Sequence, residues 1–349
     1  MEYYFEFFLI ITIVAFAASI SVPTFDRILF LPLLLFFTAS VALIVPGHRL
    51  FDDHSNYITQ FNFVRYETDS FQQAIFITKD IMSYVFIKIE LFLGLDAEYF
   101  VPLYAVVTGG LMYLAMSKWT RHRTVLLSIY IIFFSYHLNF NAIRGALAIS
   151  CLFLLTQSSG ARSFFWIIIS GLSHIGSIIM ILPAVFLKRF CIGRERLFFI
   201  TMACFSAAIS SLLLSTSRGT GYSENQATIF GIIPVIFLFL SLLILMSKRF
   251  FRRIAGVSDV LHTQLFYVGS YSAISAGMVF ESVTIGSRFL EIACVIAWYT
   301  VGTALNTDGA RAILKPLLQF FICVSVVIIF RDIASGSWVH MSRLWGFNR

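Results

Sequence analysis

The residues best equipped for chemistry in this 349-residue sequence are a few charged groups at the ends of apolar runs. Arg144 opens "RGALAISCLFLL", Arg288 opens "RFLEIACVIAWY", Arg218 lies in "SRGTGYSENQ", and His174 closes "FFWIIISGLSH". A guanidinium keeps its charge at any physiological pH and presents a planar fork of donors, which suits a phosphate or diphosphate. Helix amino termini add partial positive charge at Arg144 and Arg288. Taken singly, each arginine reads equally well as an interfacial side chain whose stem stays in lipid while its head reaches phosphate. A lone histidine at a helix end reads more simply as a core or capping residue. Three arginines at one depth tip the reading toward an anion site.

A second cluster, "GHRLFDDHSNYITQF" (47–61), holds Asp52, Asp53, His54 and Tyr57. Two aspartates and a histidine could bind a divalent cation. They could also receive sugar hydroxyls or supply a base, and a solvated polar loop is the plain alternative. Tyr222 and Glu224 in "GYSENQ", and Glu281 and Glu291 around Arg288, are open to the same two readings. Glu291 follows Arg288 by three residues, so the two share a helix face and are expected to pair.

The elements that must position these groups are apolar. The chain is 59% hydrophobic and 12% charged. A bilayer core needs roughly 20 apolar residues per helix, and run after run approaches that length. The expectation is an all-α, polytopic membrane protein forming a single domain over 1–349. About 12 spans are expected, near 4–22, 28–46, 99–116, 124–138, 142–157, 163–174, 176–187, 197–214, 228–246, 262–281, 288–305 and 314–330. The start, "MEYYFEFFLIITIVAFAASI", has acids where a cleavable leader has bases, and its apolar stretch is long enough to span. The five cysteines are scattered without a CxxC, which argues against a disulfide framework or a zinc site. The stretch 267–277 is rich in small residues, which favours close helix packing.

Orientation follows from charge. With the amino terminus outside, the inner loops collect Arg27, the Lys118–Arg123 cluster, Arg162, the Lys188–Arg196 and Lys248–Arg253 clusters, and Arg311 with Lys315. That is 15 of the 25 Lys and Arg residues against four of the 18 acids. The positive-inside rule favours this arrangement. It also accounts for the net charge of +7 without nucleic acid. The segment 47–98 then lies outside. Its stretch "AIFITKDIMSYVFIKIELFLGL" is broken by Lys79, Asp80, Lys88 and Glu90 too often for a free span. It is expected to form one amphipathic helix on the outer leaflet or tucked into the protein.

At these residues the chain resembles a known family. Asp53-x3-Tyr57-x3-Phe61, "IRGALAISCLFLLTQ", "GLSHIGSIIMILPAVFL", an outward "RGTGY" and a late "GSRFLEIACVI" are together similar to the EpsG family, Wzy-type bacterial polysaccharide polymerases. The family's "R-x-x-L-A" helix is matched by Arg144, Leu147 and Ala148, and its "fH-s-(s/a)" helix by His174 and Ser177. Gly145 stands where a polar residue is more usual. The resemblance implies glycosyl transfer at the outer face of the bacterial cytoplasmic membrane. A glycan on undecaprenyl diphosphate would be passed to the terminal sugar of another lipid-linked repeat unit, with inversion, without a metal or other cofactor, and with a chain-length regulator as partner. Arg144, Arg218 and Arg288 would then hold the diphosphate. Asp53, Tyr57, Tyr222 and Glu291 would contact sugar, and Asp53 or His174 would serve as base.

Two other classes compete. A flippase for the same lipid-linked saccharide would be expected to show repeated halves with broken helices at midplane, and no convincing internal repeat is present. A membrane acyltransferase could use His174 to activate a hydroxyl, but the outward arginines would then be surplus. Labelling of single cysteines introduced beside Arg144, His174, Arg218 and Arg288 with a membrane-impermeant thiol reagent is expected to place all four outside, with the Lys118–Arg123 loop protected. Protection of any of the four would dissolve the anion site.

Overall fold

The computed structural model describes residues 2–44, 53–67, 70–119, 122–135, 138–139, 142–174, 182–187, 194–214, 259–279 and 283–305. These residues are helical, with no strand among them. The helices are α1 (Glu2–Ser21), α2 (Pro23–Ile28), α3 (Phe30–Ile44), α4 (Asp53–Tyr66), α5 (Phe71–Thr78), α6 (Ile81–Phe92), α7 (Phe100–Met116) and α8 (Arg123–Phe133). They continue with α9 (Ile143–Thr156), α10 (Ala161–Ser173), α11 (Leu182–Leu187), α12 (Glu195–Leu214), α13 (Asp259–Val279) and α14 (Val283–Ala304). The expected spans 228–246 and 314–330 lie outside the described residues. Among those described, Ala97–Met116 is long and apolar enough to cross a membrane, and six shorter apolar helices have 10–17 residues.

The chain divides into two compact units, Met1–Ile179 and Met180–Arg349. In the first, α9 is the central element and packs against α7 and α10. Every residue from Gly145 to Thr156 is buried, as a helix apolar all round requires. Its neighbours are tied to it by side-chain bonds to backbone carbonyls. Ser170 Oγ of α10 donates to Ala148 O at 3.0 Å, and Gln157 Nε2 donates to Ala115 O of α7 at 3.0 Å.

The segment expected as a single amphipathic helix is instead two, α5 and α6, with a break at Lys79–Asp80. Helix α6 does tuck into the protein, burying Ser83, Phe86, Ile87 and Glu90. Ser83 Oγ and the Tyr104 hydroxyl of α7 share a hydrogen bond at 2.8 Å. The Glu90 side chain is fully buried, with no partner for either carboxyl oxygen among the described residues. Burial pushes its carboxyl up to about 8, so it enters the fold largely as a neutral acid.

Asp26 reaches across the first unit. Its carboxylate accepts from the backbone N–H groups of Arg123 (3.0 Å), Thr124 (3.0 Å) and Val125 (3.4 Å) at the start of α8. Thr124 Oγ1 returns a bond to Asp26 O at 2.6 Å. The residue before α8, His122, has φ 58° and makes no side-chain cap bond, so the cap comes from α2. A negative group here also meets the positive end of the helix dipole.

In the second unit α13 packs between α12 and α14. The small residues expected to favour close packing do so. A Cβ at Gly277 would collide with the Ala203 carbonyl and Ser206 Oγ of α12, and one at Gly269 with the Phe199 ring. Ser275 Oγ of α13 donates to Gly286 O of α14 at 2.7 Å.

Asp26→Ala should cost about 1–2 kcal/mol, the usual worth of a helix cap. Asp26→Asn, which keeps an acceptor, should cost less. Thermal unfolding of the purified protein reads both; an unchanged midpoint for Asp26→Ala would remove the cap from the account of α8.

Candidate functional site

The site grows from the break between α5 and α6. Ser70 caps α5, accepting from Gln73 N at 3.2 Å, and the helix closes through Lys79 N–H to Ile75 O at 2.8 Å. Lys79 then takes φ 64°, in the left-handed region that suits glycine better than lysine. Thr78 Oγ1 braces the turn by donating to Ala74 O (3.0 Å) and Asp80 O (3.1 Å). Asp80 occupies the N-cap position of α6 in extended backbone but makes no side-chain cap bond. Its carboxylate turns instead to the first turn of α9.

There Arg144 Nη1 donates twice, to Asp80 Oδ2 at 2.6 Å and to Thr78 O at 2.9 Å. One nitrogen thus satisfies both the acid and the last carbonyl of α5. The Tyr57 ring of α4 lies 5.7 Å from the guanidinium carbon, close enough for a cation–π contact. His174 caps α10 in extended backbone, and its Nδ1 is 3.8 Å from Asp80 Oδ1. That is ion-pair range for an imidazolium and within about 1 Å of hydrogen-bond range. Side-chain exposure rises from 3% at Asp80 through 19% at Arg144 to 39% at His174, so the cluster is rooted at the acid and opens toward the imidazole.

Of the residues singled out by sequence, Arg144, His174 and Tyr57 meet here. Asp53 begins α4 one turn before Tyr57. Arg288 and Glu291 lie in the second unit, on α14. That helix starts at Val283 rather than at Arg288, so Arg288 sits in its second turn, where the dipole has largely faded. Arg218 and Tyr222 lie outside the described residues. His54 is half-buried; desolvation lowers its pKa and holds it neutral, against an opposing pull from Glu98. Among the described residues no three His, Cys, Asp or Glu side chains gather as metal ligands.

Asp80 was not singled out. Its signal was present, because an acid inside "FITKDIMSY" must find a partner once buried, and an outward arginine of opposite charge was already in view. What spacing does not disclose is that residues 64 apart are the partners.

The arrangement can bind an anion and move a proton. Nη1 makes both of these bonds, and the guanidinium carries further N–H donors on Nε and Nη2. The Arg144–Asp80 pair is formally neutral, so a dianion needs further cations, and His174 beside Asp80 is one when protonated. Unprotonated, the same imidazole can accept a proton.

Asp80→Ala leaves Arg144 without its acid. The loss should fall near the low end of the roughly 3–5 kcal/mol seen when one partner of a buried pair is removed, because Arg144 is partly exposed. The double variant Asp80→Ala/Arg144→Ala should recover part of it. Thermal unfolding of the four proteins measures the coupling; additive losses would mean that the pair does not act as a unit.

The EpsG family matches residues 33–340 of the chain. No curated protein and no solved structure matches it. The match covers most of the length and takes in α3 to α14, including Tyr57, Asp80, Arg144 and His174; the chain belongs to the EpsG family.

Proposed function

We propose that this protein extends a polysaccharide by transferring a lipid-diphosphate-linked glycan to the terminal sugar of another lipid-linked unit, at the outer face of the bacterial cytoplasmic membrane. Membership of the EpsG family supports a polysaccharide polymerase-type, glycosyltransferase-like role, and the family together with the all-helical fold points to a membrane protein. The observation that carries the finer reading is Arg144, held at the amino end of α9 by a buried acid and flanked by His174.

In this reading the bond between the anomeric carbon and the diphosphate oxygen breaks, and the diphosphate leaves with the electron pair. The acceptor hydroxyl oxygen bonds to the same carbon from the opposite face, inverting it. Its proton passes to a base, Asp53 or His174. Charge grows on the leaving oxygens, and a preorganised donor aimed there is among the strongest catalytic devices available. Arg144 supplies N–H donors from Nε and Nη2. Arg218 and Arg288, the other outward arginines of the sequence, are the further candidates for the diphosphate. Tyr57, Tyr222 and Glu291 are the candidates for sugar. The reaction in this form uses no metal, and a chain-length regulator is a partner implied by the family.

Removing one such donor typically lowers turnover by about 10²–10³. Arg144→Ala should therefore abolish long-chain polymer in cells while the protein still inserts, and Arg144→Lys should restore little, because a point charge does not replace the fork. Full polymer from Arg144→Ala would remove Arg144 from the mechanism. Purified protein in liposomes with lipid-linked repeat units should extend chains; movement across the bilayer without extension would favour a flippase.

A further inference from the structure

Beyond Arg144 the first unit carries an open cleft of about 360 Å³ between α4 and α5, lined by Phe63, Glu67, Gln72, Gln73, Phe76 and Ile77. Phe76 of α5 is 68% exposed. Gln60, Phe63 and Glu67 recur at intervals of three and four residues and so form one stripe on α4. That stripe runs beside the buried face made by Tyr57, Phe61 and Val64. Gln60 is itself 8% exposed, and its amide oxygen has no partner among the described residues.

The cleft and the Arg144 cluster draw on the same two helices, α4 and α5. On α5, Ile77 lines it and the next residue, Thr78, gives its carbonyl to Arg144. On α4, Tyr57 meets the guanidinium; Phe63 and Glu67 follow about 9 and 15 Å further along the axis. A ligand anchored by an anion at Arg144 and extending along α4 toward Glu67 would reach the cleft within that distance.

We infer that this cleft is a saccharide-binding subsite that holds the glycan of the lipid-linked substrate next to its diphosphate, an inference resting on the function proposed above. The chemistry matches on each side. A sugar ring presents C–H faces, which lie well against Phe63 and Phe76, and hydroxyl edges, which both donate and accept. Gln72 and Gln73 each carry a carbonyl and an amino group, and Glu67 adds a charged acceptor. An acyl chain fits worse, because it would strand those polar rims against hydrocarbon.

The full-length protein in nanodiscs is tested with two probes: undecaprenyl diphosphate bearing no sugar, and the lipid-free oligosaccharide released by mild acid from the polymer of the producing cells. Phe76→Ala, at an exposed position where folding is not at stake, should weaken oligosaccharide binding about tenfold, the loss of one good aromatic contact. Phe76→Trp should bind as well as the parent, Glu67→Gln should bind a few-fold more weakly, and all three should keep their affinity for undecaprenyl diphosphate. Oligosaccharide binding that is undetectable, or indifferent to Phe76→Ala and Glu67→Gln, overturns the subsite even if undecaprenyl diphosphate binds through Arg144. The converse result, cleft-dependent oligosaccharide binding with no affinity for undecaprenyl diphosphate, leaves the subsite standing and overturns the diphosphate reading instead.

Discussion

A single guanidinium nitrogen, facing one buried carboxylate and one backbone carbonyl, holds the candidate site together. Moving a carboxylate out of water costs several kcal/mol, and only a close, well-bonded cation offsets it. At 2.6 Å from Asp80, Arg144 does so, and its second bond at 2.9 Å closes the last carbonyl of α5. The same contacts sustain the left-handed Lys79 between them, a conformation that costs about 1–3 kcal/mol and persists only when its surroundings over-determine it. Three helices, α5, α6 and α9, are thereby fixed to one another at a point, and α10 joins them through His174 and the same acid.

That constraint decides what the arginine is free to do. An unpaired arginine at a helix amino terminus would bind anions strongly and without much discrimination. Here the local charge is already cancelled, and the guanidinium is held in place through one of its nitrogens. For the proposed diphosphate this favours geometry over charge and leaves affinity to neighbouring cations. In the proposed reaction this suits a leaving diphosphate, whose charge increases as the bond breaks, better than it suits any passing phosphate.

Much of this was legible in the sequence, for physical reasons that differ by residue. Arg144 and His174 stood out because charge at the ends of apolar runs is costly and therefore informative; the structure brings them to one acid. The small residues at 267–277 announced close packing, and Gly269 and Gly277 of α13 lie hard against α12. Asp80 was read only as an interruption, because local periodicity registers a charge in the wrong place without naming its partner. The two-helix form of 71–92 was hidden for the same reason: no proline or glycine stands at the break, and the partner that Asp80 finds, Arg144, is 64 residues away. Asp26 looked like an ordinary loop acid, since nothing near it in sequence tells of a cap on α8.

Both long-range acids precede the groups they serve, Asp26 by 98 residues from Thr124 and Asp80 by 64 from Arg144. A chain is synthesised from its amino end. Each carboxylate must therefore emerge from the ribosome and wait, hydrated, for a donor not yet translated. The bonds that Arg144 gives to Thr78 O and Asp80 form only once α9 has been delivered, so this part of the amino half is completed by a later helix, and a polypeptide arrested short of Arg144 would lack them.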